Sequence, residues 1–302
     1  MANAESLLSQ CLDVAGKPTI CRGDVDPGPD RGQRGGLGYE SAETASPSVK
    51  GVALPEDRSG RCAIAVMGKA PRIGRAKTRL AVTVGAEAAA ALGAAFLRDT
   101  TANVVLAGRD APIHSVVAYA PAGSEPLLEP LLAPGTSLLL ADGHGIATPG
   151  VAGFGCSLLQ TIERLLHAGH AAACVLNADG PTLPTRHLVR AAQLLARPGD
   201  RAVLGIARDG GYYLLGLKRP HAALFRDIPW STAAVAAATR ARADAIGLEI
   251  ATLPDWFDVD DGPSLDHLIA SLRANDDGGF AAPATRAALA QLGLLATESC
   301  EA

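Results

Sequence analysis

Short runs of apolar residues alternate with segments of helical periodicity along most of the chain after residue 61. Such runs, bounded by Gly, Pro or charged residues, are typical of strands buried in a sheet. They predict strands over 63–67, 114–120, 137–141, 171–176, 202–207, 212–217 and 248–253. The segments between them predict helices over 86–101, 157–167, 184–196, 231–246, 264–273 and 282–294. Apolar strands separated by helices indicate an α/β fold with a mainly parallel sheet flanked by helices on both faces.

One connection between predicted strands is too short for a helix. The turn Asp209-Gly210-Gly211 separates 202–207 from 212–217, which predicts an antiparallel hairpin and hence a mixed sheet. In sheets with parallel strands, ligands bind beyond the carboxyl ends of those strands. The loops that follow the strands are therefore where candidate chemistry is expected.

The N-terminal part of the chain has a different composition. Residues 23–51 are dense in Gly, Pro, Asp and Ser, so they bury too little apolar area to offset the entropy of ordering. We therefore predict a flexible extension over 1–60, one folded domain over 61–296 and a short tail over 297–302.

The net charge, the N-terminal sequence and the cysteine spacing argue against several classes of protein. The formal net charge is −4, whereas a general nucleic-acid binder is usually basic, so anion binding is expected to be local. The first residues lack the basic and apolar regions of a secretory signal, and the apolar stretch 80–97 is Ala-rich and carries Glu87, as core helices do. The six cysteines form no C-x-x-C pair, which favours free thiols. We expect a cytoplasmic protein that binds neither nucleic acid nor membranes.

The loop after the first predicted strand is strongly basic, with five cationic residues between 69 and 79. Gly68 and Gly74 permit close backbone approach, Pro71 stiffens the loop, and a helix start nearby would add free N–H donors. This combination suits a diphosphate or triphosphate, although the sequence does not fit a Walker loop. The alternative is a solvated basic loop. We favour the phosphate hypothesis because five cations at the end of a buried strand repel one another without an anion.

Two acidic loops follow later strands. Asp179 leaves the strand at 171–176, and a carboxylate in that position is a natural Mg²⁺ ligand beside phosphates. Asp258 and Asp260 flank an apolar Val, so they point the same way if the chain is extended. Each loop alone also fits a turn, a helix cap or a solvated acidic segment. Together with the basic loop at one sheet edge, they favour a metal–phosphate site.

Five motifs follow one another along the chain: KAPRIGRAKTRLA at 69–81, NADGP at 177–181, RDGGYYLLGL at 208–217, IPWST at 228–232 and FDVDD at 257–261. They occur in the order seen in the DUF2064 family, which the sequence resembles over roughly 62–296. This family, also described as radical-SAM/selenodomain-associated transferase 1, implies a GT-A-like nucleotide-diphospho-sugar transferase fold. The basic loop and both acidic loops are also similar to those of 2-phospho-lactate and molybdenum-cofactor guanylyltransferases, which move a nucleotidyl group from a nucleoside triphosphate with Mg²⁺.

The resemblance, with the residue chemistry, assigns expected roles. The expected catalytic residues are Lys77, Arg79 and Asp179. The expected ligands of Mg²⁺ or Mn²⁺ are Asp179, Asp258 and Asp260. The residues expected to bind the nucleotide or line the acceptor are Lys69, Ala70, Pro71, Gly74, Arg75, Lys77, Gly210, Gly211 and Tyr212. The expected partners are a nucleotide, either a triphosphate or a diphospho-sugar, and a small acceptor. Because carboxylates held close without a cation repel, Asn at 179 or 260 is expected to leave the metal-free fold unharmed or slightly more stable.

Three functions remain open from the sequence. A single Asp in Asn177-Ala178-Asp179, without an Asp-x-Asp, favours nucleotidyl transfer, whereas the arsenosugar glycosyltransferase description of some family members favours glycosyl transfer. A nucleotide-binding protein that has lost turnover is a third hypothesis, because the family commonly has Ser-Asp-Cys-Pro where this chain has Ala178-Asp179-Gly180-Pro181.

Overall fold

A computed structural model of the chain describes residues 58–274 and 278–295. The predicted extension over 1–60, apart from its last three residues, lies outside the described residues. The predicted tail over 297–302 also lies outside them, so these two predictions stay predictions.

Seven strands in the described part of the chain form one mixed sheet. They are β1 (Cys62–Gly68), β2 (Ile113–Tyr119), β3 (Ser137–Leu140), β4 (Ala172–Leu176), β5 (Ala202–Ala207), β6 (Tyr212–Leu217) and β7 (Ile250–Trp256). Their order across the sheet is β3-β2-β1-β4-β6-β5-β7. β6 runs antiparallel to β4 and β5, while the other neighbours pair in parallel, which confirms the mainly parallel, mixed sheet and the hairpin. The carboxyl ends of the parallel strands and the start of β6 therefore share one edge, which we call the carboxyl edge.

Eight α-helices among the described residues cover the sheet. They are α1 (Thr78–Val84), α2 (Ala86–Ala107), α3 (Glu125–Leu128), α4 (Phe154–His167), α5 (Thr185–Ala196), α6 (Val235–Ala245), α7 (Gly262–Ala274) and α8 (Pro283–Gln291). α2 and α5 contribute buried residues to the core on one face, and α4 and α6 to the core on the other. A third core joins α1, α2, α7 and α8 around Leu80 and Phe96. No described helix is long and apolar enough to cross a membrane.

Several predicted element boundaries differ from the structure, and three of these differences have local physical reasons. α6 begins at Val235 instead of 231, because Ser231 has a φ of 63°, which a helix does not accept. β7 continues through Pro254 to Trp256, because a strand at the sheet edge tolerates a residue without an N–H donor. α2 runs six residues beyond the predicted end, and buried Asn103 and Val104 hold this part against the core.

Two buried histidines form a hydrogen-bonded chain at the opposite, amino end of the strands. His170 Nδ1 lies 2.9 Å from the Leu165 carbonyl, which can only accept, so His170 donates there and its Nε2 is an acceptor. His114 Nδ1 then donates to His170 Nε2 at 2.9 Å, and Ser137 Oγ donates to His114 Nε2 at 3.1 Å. Every ring nitrogen is satisfied only while both rings are neutral. Burial, reinforced by neighbouring positive charge, lowers the pKa of His114 to about 4 and lowers that of His170.

The hydrogen bonds of the two buried histidines predict that the fold loses stability in acid. Between pH 6.5 and 4 the unfolded chain binds protons that the native His114 excludes, so the free energy of unfolding falls as the pH drops through this window. The loss from His114 is about 2 kcal/mol at pH 5. Thermal melting of His114→Gln at pH 7.5 and pH 5 should therefore show a smaller acid-induced drop than the wild type. Substitution of the exposed His167 with Gln is the control, and an equal drop in all three proteins would contradict the assignment.

Candidate functional site

Three loops meet at the carboxyl edge, each after a parallel strand. Residues 69–77 follow β1, residues 177–181 follow β4 and residues 257–261 follow β7. Two strands separate β4 from β7, yet the loops touch, because the Val259 N–H donates to the Asp179 carbonyl 2.9 Å away. The structure thus brings the basic loop and both acidic loops to one place.

The Lys77 ammonium joins the two acidic loops. Its Nζ lies 2.6 Å from Oδ1 of Asp179 and 3.0 Å from Oδ1 of Asp260, and it donates to the Val259 carbonyl at 2.7 Å. The side chain is only 10% exposed, and Nζ stands 5.5 Å from the centre of the Phe96 ring. Three oxygen partners and an aromatic face therefore satisfy this nearly buried cation.

The charge of Lys77 depends on these carboxylates. Burial alone would lower the pKa of Lys77, because a low-dielectric surrounding disfavours the ammonium. Asp179 and Asp260 outweigh burial, so the pKa of Lys77 lies above its ordinary value. Its backbone has a left-handed φ of 47°, which turns the chain from the basic loop into α1. Lys77 is therefore a fixed positive charge between two loops.

Asp260 is held from two further directions. Its Oδ2 lies 2.7 Å from a guanidinium nitrogen of Arg79, a side chain that is 68% exposed. Its backbone N–H donates to Ser264 Oγ at 3.0 Å. Ser264 also donates its own N–H to the Asp261 carboxylate, which caps the start of α7. The helix cap thus fixes the backbone that presents Asp260 to Lys77.

The Asp258 carboxyl forms no ion pair with a cation among the residues that the structure describes. Its Oδ1 is buried and accepts no hydrogen bond within the described residues, although the Asn177 side chain hydrogen-bonds to the carboxyl. Burial, and then the charges of Asp179, Asp209 and Asp260, raise the pKa of Asp258 to about 7 against that hydrogen bond. Near neutral pH, Asp258 therefore exchanges between its acid and carboxylate forms.

The rest of the basic loop presents exposed cations. Within the described residues, the side chains of Lys69, Arg72 and Arg75 form no ion pair and no hydrogen bond. The loop is folded by two turns, in which Arg72 N–H donates to the Ala70 carbonyl and Arg75 N–H to the Arg72 carbonyl. Gly74 has a φ of 73°, as its place in these turns requires. The loop therefore displays uncompensated positive charge beside the carboxylates.

The loop is also supported from beneath by α2. Pro71, Ala76 and Lys77 all lie just under 4 Å from the position that a Cβ would take at Gly93. An Ala side chain at Gly93 would be in ordinary van der Waals contact with this loop, whereas a side chain larger than Ala would push against it. Gly93 is a supporting residue that the sequence reasoning missed, because nothing in the sequence links α2 to the loop.

Gly210, Gly211 and Tyr212 lie at the same edge, in the β5–β6 turn and at the start of β6. Gly210 has a φ of 90°, and a Cβ there would lie 2.2 Å from the Ala233 carbonyl oxygen. Its own carbonyl accepts a hydrogen bond from Ala236 N–H at 3.0 Å. Gly210 therefore serves close backbone packing against the segment before α6, while Gly211 N–H is bonded to the Asp209 carboxylate.

Gly210→Ala is expected to destabilise the fold clearly. The left-handed backbone costs about 1–2 kcal/mol in a residue with a Cβ, and the overlap with backbone adds about 1–3 kcal/mol. Gly123→Ala is the matched control, because Gly123 has a φ of 82° with open space at its Cβ position. Thermal melting should show the larger drop for Gly210→Ala. Equal drops would mean that the segment at Ala233 moves aside freely.

An aromatic cluster, which the sequence reasoning did not assemble, lies beside Tyr212. The Trp230 ring packs edge-on against Tyr212 at 6.4 Å and Phe154 at 5.7 Å, measured between ring centres. The Tyr212 hydroxyl is buried without a hydrogen-bond partner in the described part of the chain, and Phe154 is about half exposed. β4 and β6 are paired, and Asn177 N–H donates to the Tyr213 carbonyl, so this cluster begins one strand away from the Asp179 loop.

The described residues contain no group of three or more His, Cys, Asp or Glu side chains arranged to hold a metal ion. The donor chemistry nevertheless suits a divalent ion, since Asp179 and Asp260 present carboxylate oxygens and Asp258 has an unpartnered buried oxygen. In this arrangement the Lys77 ammonium stands between the two carboxylates that the sequence assigned to a metal.

Comparison with solved structures relates the fold to that of a structure provisionally named a transferase. A structure from Desulfovibrio desulfuricans G20, provisionally named a nucleotide-diphospho-sugar transferase, is 26% identical and superposes with a TM-score of 0.66. The match covers 77% of this chain and 95% of that one. A CMP:2-keto-3-deoxy-manno-octonic acid synthetase complexed with CTP is 12% identical, with a TM-score of 0.44 over 72% of this chain and 99% of that one. A 4-diphosphocytidyl-2C-methyl-D-erythritol synthase from Anaerococcus prevotii DSM 20548 is 10% identical, with a TM-score of 0.44 over 71% and 100%.

A family model locates the sequence relationship. None of the curated proteins matches the chain. The model described as "Uncharacterized protein conserved in bacteria (DUF2064)" matches residues 104–232, a range that contains Asp179, Tyr212 and Trp230 but neither the basic loop nor Asp260. This match agrees with the resemblance to the DUF2064 family that the motifs indicate, and the chain has the GT-A-like nucleotide-diphospho-sugar transferase fold.

Proposed function

We propose that this chain is a nucleotide-dependent transferase that moves a nucleotidyl group from a nucleoside triphosphate to a small acceptor. The observation that carries the proposal is the meeting of three loops at the carboxyl edge, where exposed cations adjoin carboxylates bridged by Lys77. Exposed cations without partners at a strand end attract a polyanion. Carboxylates beside them suit the divalent ion that accompanies nucleotide phosphates.

The basic loop would bind the phosphates. Lys69 and Arg75, with Arg72, have donors to spare, and Ala70, Pro71 and Gly74 shape the turns that present them. Lys77 and Arg79 would neutralise charge that develops on the transferring and leaving groups, because fixed cations stabilise such charge without reorganisation. In the transfer, an acceptor oxygen bonds to the α-phosphorus, the bond to the β-phosphate bridge breaks and pyrophosphate leaves. A proton from an acceptor hydroxyl goes to solvent.

Asp179 and Asp260 would hold Mg²⁺ or Mn²⁺, with Asp258 as a further ligand. When bound, such an ion supplies Lewis-acid polarisation of a phosphoryl oxygen and neutralises phosphate charge. The two aspartates come from separate loops and are kept in register by the Val259–Asp179 backbone hydrogen bond. The unpartnered Asp258 oxygen gives the group a further acceptor that protein donors leave unused.

The acceptor would bind on the side of Gly211, Tyr212 and Trp230. This side is apolar and aromatic, whereas the basic loop lies on the other side of the Asp179 loop, between β1 and α1. The half-exposed Phe154 ring would let this wall contact an apolar part of an acceptor.

Glycosyl transfer from a nucleotide-diphospho-sugar is the second candidate, favoured by the name of the solved relative from Desulfovibrio desulfuricans G20. The reaction products distinguish the two. Full-length protein is incubated with Mg²⁺, a panel of small hydroxylated and phosphorylated acceptors and either the four nucleoside triphosphates or a set of diphospho-sugars. Pyrophosphate and a nucleotidylated acceptor support our proposal, whereas release of a nucleoside diphosphate supports glycosyl transfer. Tight, Mg²⁺-dependent binding without either product would indicate a nucleotide-binding protein without turnover.

A further inference from the structure

We propose that the Lys77 ammonium occupies the candidate metal site in the free protein, so that the ammonium and a divalent ion exclude each other. A bound triphosphate would attract Lys77 away from the carboxylates and so open the site to the ion. The inference rests on the proposed function, because it takes Asp179 and Asp260 as metal ligands. It assigns to the free protein a closed, metal-poor state of the site and an order of binding in which the nucleotide precedes or accompanies the metal.

Both cations would use the same two carboxylate oxygens. Nζ of Lys77 stands 2.6 Å from Oδ1 of Asp179 and 3.0 Å from Oδ1 of Asp260. Mg²⁺ binds carboxylate oxygens at about 2.0–2.1 Å, so an ion shared by these two oxygens would replace the contacts that the ammonium now makes. The ammonium must therefore give up these contacts before the ion can bind both oxygens.

Electrostatics gives the same result. Lys77 and Arg79 already supply two positive charges to Asp179 and Asp260, so both carboxylates are compensated without a metal. A divalent ion added beside an ammonium at this spacing would meet like-charge repulsion in a nearly buried site. The nearby Asp258 Oδ1 is buried and has no hydrogen-bond partner among the described residues, so it is an acceptor that Lys77 does not use.

The basic loop provides the means of release. Arg75 lies two residues before Lys77, and its side chain, like those of Lys69 and Arg72, has no anionic partner among the described residues. A triphosphate held by these cations brings negatively charged oxygens to the same short loop. Lys77 can then exchange a carboxylate for a phosphate, which leaves the carboxylates uncompensated and open to a divalent ion.

The test measures Mn²⁺ binding to the full-length protein without nucleotide, by the paramagnetic resonance signal of free Mn²⁺ and by calorimetry. Lys77→Met should bind Mn²⁺ roughly tenfold or more tightly than the wild type, because the competing charge is gone. Lys69→Met is the matched control, since it removes the same charge from the same loop, and it should change affinity by no more than about twofold. Lys77→Gln, which keeps hydrogen-bond donors, should follow Lys77→Met and covers the case in which the Met variant folds poorly.

Two further arms complete the experiment. Asp179→Asn in the Lys77→Met background should remove the gained affinity. A saturating non-hydrolysable triphosphate should bring the Mn²⁺ affinity of the wild type up to that of Lys77→Met. If Lys77→Met and Lys77→Gln bind Mn²⁺ no better than the wild type while Asp179→Asn still abolishes Mn²⁺ binding, ion and ammonium coexist and this inference is overturned, but the proposed function stands. If no variant binds Mn²⁺ with or without nucleotide, the metal part of the proposed function fails with it.

Discussion

The Asp179→Asn variant is expected to lose nearly all turnover while it remains folded. Asp179 is the residue at which both parts of the proposed chemistry meet, since its carboxylate contacts Lys77 and its carbonyl anchors the loop of Asp260. Loss of one ligand of a catalytic divalent ion removes several kcal/mol of transition-state stabilisation, or about a thousandfold in rate. Pyrophosphate release from the preferred triphosphate measures this directly. Asp266→Asn is the control, because Asp266 is an exposed acidic residue on α7 with no assigned role in the site. It should retain wild-type rates.

The structure reverses one expectation for this variant. Repulsion between bare carboxylates predicted that Asn at position 179 would leave the metal-free fold unharmed or more stable. Because Lys77 bridges Asp179 and Asp260, the substitution instead removes a partner of a nearly buried ammonium. We now expect a loss of about 1–2 kcal/mol, or a few degrees in the melting temperature. A wild-type rate of pyrophosphate release in Asp179→Asn would remove Asp179 from the site.

The second large effect concerns the basic loop. The double variant Arg72→Gln/Arg75→Gln should weaken binding of a nucleoside triphosphate about a hundredfold or more. Each charge-assisted contact with a phosphate contributes about 1.5–3 kcal/mol, and neither side chain has a partner in the described structure to lose. The melting temperature without nucleotide should therefore stay the same or rise slightly, since two mutually repelling cations are removed. Isothermal calorimetry at two salt concentrations gives both the affinity and its ionic part.

A second double variant controls for the change in net charge. Arg190→Gln/Arg219→Gln removes the same two charges at exposed positions on α5 and after β6, away from the basic loop. This control should bind the triphosphate as the wild type does, with the same salt dependence. If the two double variants weaken binding equally, only the overall charge matters, and the loop is a solvated surface.

The arrangement of loops at the carboxyl edge can largely be predicted from the sequence, because it depends on where strands end and on how short the turns are. Each of the three motifs follows a predicted strand, and the carboxyl ends of parallel strands share one sheet edge, so the order of the motifs already placed Lys77, Asp179 and Asp260 near one another. The hairpin around Gly210 was predictable for the same reason, since a turn this short leaves its strands no other pairing.

Other features depend on contacts that sequence patterns do not encode. A basic residue in a basic loop suggests a phosphate ligand, and only the folded chain reveals that Lys77 points back to two carboxylates over Phe96. The buried oxygen of Asp258 likewise results from packing between two loops far apart in the sequence. The contacts of Trp230 with Tyr212 and Phe154 also arise only in the folded chain, because the three residues come from separate segments of the sequence.

A crystal structure of the full-length protein with Mn²⁺ and a non-hydrolysable nucleoside triphosphate tests the central claim most directly. Anomalous scattering locates manganese without reference to the protein. We predict an anomalous peak between the carboxylates of Asp179 and Asp260, with the triphosphate in contact with Lys69, Arg72 and Arg75. A nucleotide bound away from the carboxyl edge, or manganese that avoids both aspartates while the nucleotide is in place, would contradict the account.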